Sequence, residues 1–132
     1  MNIGEAAKAS DVSAKMIRHY EAEGFIPRAT RTASGYRTYA ERDVHVLRFI
    51  RRSRDLGFSL AEIKTLLGLW GNRRRASADV KRLATQHIAD LDARIAELQS
   101  MRRTLESLAC HCHGDDRPDC PILDDLAGEP RD

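Results

Sequence analysis

Three cysteines, Cys110, Cys112 and Cys120, lie near the end of a chain of 132 residues, in the stretch Cys110-His111-Cys112-His113-Gly114-Asp115-Asp116-Arg117-Pro118-Asp119-Cys120-Pro121. Thiolates are soft donors and select Cu(I), Ag(I), Au(I), Zn(II) or Hg(II) over hard cations. Seven residues separate Cys112 from Cys120, Gly114 and Pro118 among them, and a loop of that make-up can fold back to bring two sulfurs to one ion. The Cys-x-x-Cys spacing of a zinc knuckle is absent, and a closed zinc site takes four donors. His111 and His113 supply two more by counting, so zinc stays open on this ground. An isolated cysteine is more often an idle thiol than a ligand, but a pair flanked by Gly and Pro at a helix end favours ligation. Cys112 and Cys120 are therefore the expected ligands, and Cys110, His111 and His113 are assigned to helix end or surface.

A second set of residues suits a polyanion. Lys15 and Arg18 lie one turn apart near the start of a short helix, where both can reach into a DNA major groove. Tyr20 can donate its hydroxyl to a phosphate while its ring packs inward. Arg31, Tyr36 and Arg37 cluster around Ser34-Gly35, a turn whose tip can lie along the phosphate backbone. Arg51, Arg52 and Arg54 fit a solvated helix face as well as a DNA contact. Charge is distributed accordingly: basic against acidic residues number 11 to 7 over 1–58, 9 to 6 over 59–109, and 2 to 7 over 110–132. No Ser/His/Asp set, phosphate loop or paired carboxylates occurs at meaningful spacing, so an enzyme is the weakest reading. An iron–sulfur centre typically takes four cysteines and the chain has three.

These residues need elements to hold them. Ile3 to Ala9 forms a short helix and Ser10–Ser13 a turn. Ser13 N-caps a second helix running to about Glu23; the pair outlines a helix-turn-helix with Val12, Ile17 and Tyr20 as its apolar contacts. Gly24 and Pro27 stop the second helix. Arg31–Tyr39 alternates about its turn as a two-stranded wing. Helical periodicity returns from Glu41 to about Leu56, and the capping box Ser59-Leu60-Ala61-Glu62 opens a further helix to about Trp70. A single helix then runs from about Ser77 to Leu108, its apolar stripe made of Ile88, Leu91, Ile95, Leu98, Met101, Leu105 and Leu108. So long and narrow a stripe needs a partner, and a second copy of the chain is the economical one. Apolar content of 42% against 32% charged, with no long uncharged run, gives no membrane span. The start of the chain has no signal-peptide character, so the cytoplasm is the expected compartment.

The residues Ile3-Gly4-Glu5-Ala6-Ala7, Ser13-Ala14-Lys15-Met16-Ile17-Arg18-His19-Tyr20-Glu21, Gly24-Phe25-Ile26-Pro27, Arg31-Thr32-Ala33-Ser34-Gly35-Tyr36-Arg37-Thr38-Tyr39 and Leu56-Gly57-Phe58-Ser59-Leu60 resemble a MerR-family transcription regulator over the whole chain. His19 departs from the family, which usually has an aromatic ring there. The resemblance implies an all-α protein with a small β wing: a winged helix-turn-helix over 1–70, a linker and antiparallel coiled-coil dimerisation helix over 71–109, and a metal loop and tail over 110–132. It implies a homodimer on a palindromic promoter site. Inducer binding then distorts the DNA so that RNA polymerase engages both promoter elements, a readout by deformation. Pro118-Asp119-Cys120-Pro121-Ile122 resembles the copper-efflux (CueR-like) subgroup, which implies linear binding of Cu(I), Ag(I) or Au(I) by Cys112 and Cys120. Relatives that sense divalent ions carry a cysteine where this chain has Ser77, which thus marks selectivity for a monovalent ion besides fitting an N-cap. Two thiolates leave a monovalent ion with one net negative charge, whereas a divalent ion held by two ligands is undercoordinated. A Zn(II) or Hg(II) sensor of the same family is the alternative, and a purely structural zinc dimer the bland one. Ile122, Leu123 and Leu126 are expected to form a helical turn covering the site.

Overall fold

The computed structural model describes residues 1–35 and 37–128; Tyr36 lies outside the described residues. Along the chain run α1 (Ile3–Ser10), α2 (Ala14–Ala22), β1 (Thr30–Arg31), β2 (Arg37–Thr38), α3 (Glu41–Asp55), α4 (Leu60–Trp70), α5 (Ser77–His111) and α6 (Pro121–Leu126). They divide into two compact units, Met1–Val80 and Lys81–Asp132.

In the first unit a side chain takes up a backbone amide at the starts of α1, α2, α3 and α4. Asn2 accepts from the Glu5 amide at 2.8 Å while Glu5 accepts from the Asn2 amide at 3.1 Å. Ser13 accepts from Met16 N at 3.2 Å. Ser59 and Glu62 exchange bonds at 3.2 and 2.9 Å, the capping box expected there, and Asp43 Oδ2 accepts from the Ala40 amide at 2.9 Å to open α3. The turn between α1 and α2 passes through Asp11 at φ +60°, a left-handed conformation that a short polar side chain tolerates.

The C-terminus of α1 is closed from another helix. Arg48 donates through Nε and Nη2 to the Ala9 carbonyl at 3.0 and 2.8 Å, and Arg51 donates to the Asp11 carbonyl and pairs with its carboxylate at 3.2 Å. One basic face of α3 thus satisfies the carbonyls that the end of α1 leaves open. Helix α1 packs on α2 and α3, and α4 on α3. Ala6, Val12, Ile17, Tyr20, Ile26, Tyr39, Val44, Leu47, Ile50 and Ile63 make the core, which includes the three residues expected to join the helix pair. Phe49 stacks flat on Trp70 at 4.7 Å. The wing pairs Thr30 with Thr38 and Arg31 with Arg37 in antiparallel register; Gly35 turns its tip at φ +84°, which a residue with a Cβ adopts only under strain.

In the second unit α5 dominates. With 35 residues the helix is roughly 52 Å long at ~1.5 Å per residue. It runs one turn beyond the expected end at Leu108, so Cys110 and His111 are helical and Cys112 is the first residue past it. Ser77 is the first helical residue, one position later than an N-cap. Ile88, Ile95, Leu98, Met101 and Leu105 are each more than half exposed, whereas Leu108 is buried. Helix α6 forms where a covering turn was expected, but Leu123 and Leu126 are exposed and Ile122 is half-buried. Two of the three residues are therefore mostly open to solvent instead of forming the expected cover. No helix of the described residues is long and apolar enough to cross a membrane.

Leu47 is fully buried at the centre of the first unit. Leu47→Ala should lower its stability by about 2–5 kcal/mol, read as an earlier urea midpoint for loss of helical signal. A midpoint within error of the parent would contradict this packing.

Candidate functional site

The face formed by α2 and the wing depends on Glu21. Its side chain is 8% exposed. Oε1 accepts from the Ala29 amide at 2.9 Å, and Oε2 accepts from Arg37 Nη1 at 3.3 Å and from the Tyr39 hydroxyl at 3.0 Å. A carboxylate is tolerated at such burial when its lone pairs are filled and an opposite charge is present. Here the donors come from the approach to β1, from β2 and from the residue after β2, so one helix residue sets where both wing strands stand. Thr38 adds a bond from its hydroxyl to the Thr30 carbonyl at 2.6 Å. Burial raises the pKa of Tyr39 and the bond to Glu21 adds to this, with Arg37 opposing.

Beside this junction is a cleft of about 310 Å³ lined by Arg18, Glu21, Ala22, Arg28, Ala29, Arg31 and Arg37. Arg18 and Arg31 also line a neighbouring cleft with Asn2, Thr32 and Gly35. Three of the expected DNA contacts, Arg18, Arg31 and Arg37, are thus brought together. Their surroundings differ. Arg37 is paired with Glu21, whereas among the described residues Arg31 donates a long bond, 3.5 Å, to the Gly35 carbonyl. Lys15 is exposed on α2 and lines neither cleft. Tyr20 is 3% exposed, with its ring edge-on to Phe25 at 5.6 Å. Its hydroxyl accepts from Arg54 Nη1 at 3.4 Å in a separate cleft lined also by Ser13, Met16 and Arg51. In the expected basic run, therefore, Arg51 closes α1 and Arg54 holds Tyr20, leaving Arg52 exposed. His19 is exposed, with its ring 5.8 Å from that of Tyr20. Tyr36, the sixth expected contact, lies outside the described residues.

Sequence reasoning missed Glu21 and Arg28. Glu21 was visible only as one acid on a basic helix, and its partners are 8, 16 and 18 residues away. Arg28 directly after Pro27 was the available signal for the second.

At the other end of the chain, all three cysteines are free thiols, with Cys112 and Cys120 half-buried and Cys110 exposed. The Cys112 amide still bonds to Ala109 O at 3.2 Å, which anchors the first thiol to the end of α5. Gly114 turns the chain at φ +65°. Cys120 occupies the N-cap position of α6 with no hydrogen bond from its side chain, so its sulfur is not committed to capping. Inside the loop Asp115 is locked to Arg117 by bonds at 3.0 and 2.8 Å, and these hold its carboxyl below the usual carboxylate range. His111 Nδ1 lies 2.6 Å from the Ser107 carbonyl, to which it donates. The loop therefore offers two sulfurs with no hydrogen-bond partner among the described residues, while the Asp115 carboxylate and one imidazole nitrogen are already engaged. That donor set fits a soft ion.

Comparison with known proteins bears on both sites. The family model for MerR HTH family regulatory proteins matches residues 1–69, and the one described as MerR, DNA binding matches residues 44–108. The HTH-type transcriptional regulator HmrR of Sinorhizobium medicae (strain WSM419) is 64% identical over 96% of this chain and 86% of its own length. The regulator CueR of Salmonella typhimurium (strain LT2) is 43% identical over 97% of this chain and 93% of its own. Among solved structures, the transcription regulator PbrR691 from Ralstonia metallidurans CH34 in complex with lead(II) superposes with a TM-score of 0.82. It is 34% identical, over 96% of this chain and 98% of that one.

Removing the carboxylate by Glu21→Ala leaves the Tyr39 hydroxyl, the Ala29 amide and Arg37 without their acceptor. Stability should fall by about 2–3 kcal/mol in denaturant titration; an unchanged midpoint would contradict the role given to Glu21. Tyr39 also predicts an alkaline limb. A raised pKa means that the fold prefers the neutral phenol, so its contribution is complete below the ordinary value of 10.0 and is lost as pH rises past it. Tyr39→Phe should flatten this limb; a wild-type melting temperature with the same slope between pH 9 and 11 would contradict it.

Proposed function

The chain belongs to the MerR family, whose members are transcription regulators and not enzymes, and from that premise we propose that it is a copper-type sensor that works as a homodimer on a palindromic promoter site. Metal-responsive regulation of transcription is common to this chain and its relatives. The ion, its ligands, the DNA contacts and the division of labour along the chain are our reading.

The observation that carries the ion assignment is the pair of free, half-buried thiols at the two ends of the loop after α5. In this reading Cys112 and Cys120 hold Cu(I), with Ag(I) or Au(I) as substitutes. Two thiolates suffice for a monovalent soft ion, whereas Zn(II) or Pb(II) fills its shell with further donors. Asp115 is engaged by Arg117, and Ser77, at the first turn of α5, brings no thiol. The resemblance to copper-efflux regulators and the similarity to CueR support the same choice. The lead(II) complex of a regulator 34% identical favours the alternative, a divalent-ion sensor.

Residues 1–70 bind DNA in this scheme, 71–109 link and dimerise, and 110–132 sense the ion. Lys15 and Arg18 enter the major groove from α2. Arg31, Tyr36 and Arg37 lie along the backbone from the wing, with Arg37 oriented by Glu21, and Tyr20 acts beside Arg54 at the other flank of α2. The stripe on α5 is covered by a second copy of the chain. Ion binding then shifts the dimer towards a state that distorts the promoter for RNA polymerase, in the cytoplasm, and switches on copper efflux or detoxification genes.

Cys112→Ser or Cys120→Ser should abolish metal-induced transcription in a reporter assay while operator binding persists; loss of operator binding would count against a dedicated sensing loop. Competitive titration with Cu(I), Zn(II) and Pb(II), followed by X-ray absorption, should give tightest binding and a shell of two sulfurs for Cu(I). A shell of three or four donors around a more tightly bound divalent ion would overturn the copper assignment. For the dimer, Leu98→Glu places a charge in the middle of the α5 stripe and should convert the protein to monomers in sedimentation; an unaltered dimer would move the interface elsewhere.

A further inference from the structure

Arg28 stands where the charge of the α2–wing face is least compensated. It lines the cleft that holds Arg18, Arg31 and Arg37. It also lines the next cleft along the same face, with Pro27, Tyr39, Arg42 and Asp43. The acids in these two clefts are committed elsewhere: Glu21 to Ala29, Arg37 and Tyr39, and Asp43 to the Ala40 amide at the start of α3. Among the described residues neither Arg18 nor Arg28 has a hydrogen-bond or ion-pair partner. The backbone under Arg28 is nonetheless fixed. Pro27 precedes it with a restricted φ, and the next amide, that of Ala29, is held by Glu21 at 2.9 Å. A free guanidinium on a pinned backbone, continuous with the cations of the recognition helix and the wing, is arranged to meet a planar array of anionic oxygens at small entropic cost.

We propose that Arg28 is a further DNA contact, binding a backbone phosphate beyond those reached by Arg18 and Arg31 and extending the footprint of each half-site toward Arg42 at the start of α3. This rests on the DNA-binding reading above. A phosphate contact carries no base information, so its loss must weaken binding alike on every sequence.

The test is the salt dependence of binding by the full-length protein, measured by fluorescence anisotropy. Two duplexes are used: one selected by the wild-type protein from a randomised pool, and one of random sequence and equal length. Each phosphate contact contributes about 0.9 to the slope of log K against log salt. Arg28→Ala in a homodimer should therefore lower the slope by about 1.8 and weaken binding on the order of 10- to 100-fold at ~0.1 M salt, equally on both duplexes. Arg28→Lys keeps the charge and should keep the slope. An unchanged slope in Arg28→Ala overturns the proposal while leaving the DNA-binding reading intact, and so does a loss confined to the selected duplex, which would make Arg28 a base reader. A wild-type protein that enriches no duplex from the pool and does not bind the random one overturns both.

Discussion

The first unit is organised around a carboxylate that is almost inaccessible to water. Glu21 projects from α2 and is met by a backbone amide, a guanidinium and a phenol, all from the segment that builds the wing. Taking a charge out of water is costly, and the cost is offset only if the geometry of every partner is kept. The angle between α2 and the wing is thereby restricted, because any drift strands a buried charge. The same arrangement sets the electrostatics of the surface. By consuming the lone pairs of the nearest acid, the junction leaves Arg18, Arg28 and Arg31 to face outward uncompensated. Orientation and charge, the two things a backbone-reading face requires, have one cause.

The opposite design holds along α5. Its apolar residues recur at steps of three and four, yet five of them stay mostly exposed in a single chain. Within one chain the stripe has no place to go, since roughly 25 cal/mol for each Å² of apolar surface is left unrealised. A stripe that persists under that penalty is explained by burial in an assembly. The helix is unbroken from Ser77 to His111 and contains no proline or glycine at which it could flex.

The parts of this organisation that were legible in the sequence are those decided by neighbours in the chain. The caps at Ser13 and Ser59, the turn at Gly35 and the α5 stripe depend on residues within a few positions of one another, and the structure has them where their spacing puts them. The misses are differences of reach. The basic residues of α3 gave no sign by themselves that Arg48 and Arg51 would close α1, some 40 positions earlier, because that depends on how the helices cross. Nothing in the residues next to Glu21 marks it as a buried acid, because its partners lie 8, 16 and 18 positions on. The end of α5 was placed at Leu108 because the apolar period stops there, but backbone hydrogen bonding continues to His111 without needing apolar side chains. Arg28 was hidden by the opposite effect: in a chain with 22 basic residues, an arginine in a loop has no period to betray it.

The segment that follows α5 carries a charge pattern that first looks at odds with DNA binding. From Cys110 onward acids outnumber bases by 7 to 2. Exposed carboxylates are screened within about 8 Å at physiological ionic strength, so this acidity acts on its immediate surroundings. There it favours the arrival of any cation. Acidity alone would not discriminate, since carboxylates also attract hard ions. In the proposed sensor, discrimination rests on the softness of the two thiolates. Asp115 is taken by Arg117 and His111 by the Ser107 carbonyl, while both sulfurs are left without a hydrogen-bonding task. A hard ion would have to break the Asp115–Arg117 pair to gain an oxygen from that residue, whereas a soft ion needs only the two thiolates. In the proposed sensor the Asp115–Arg117 pair thus removes one competing oxygen donor, and the preference for a soft ion rests on the two cysteines.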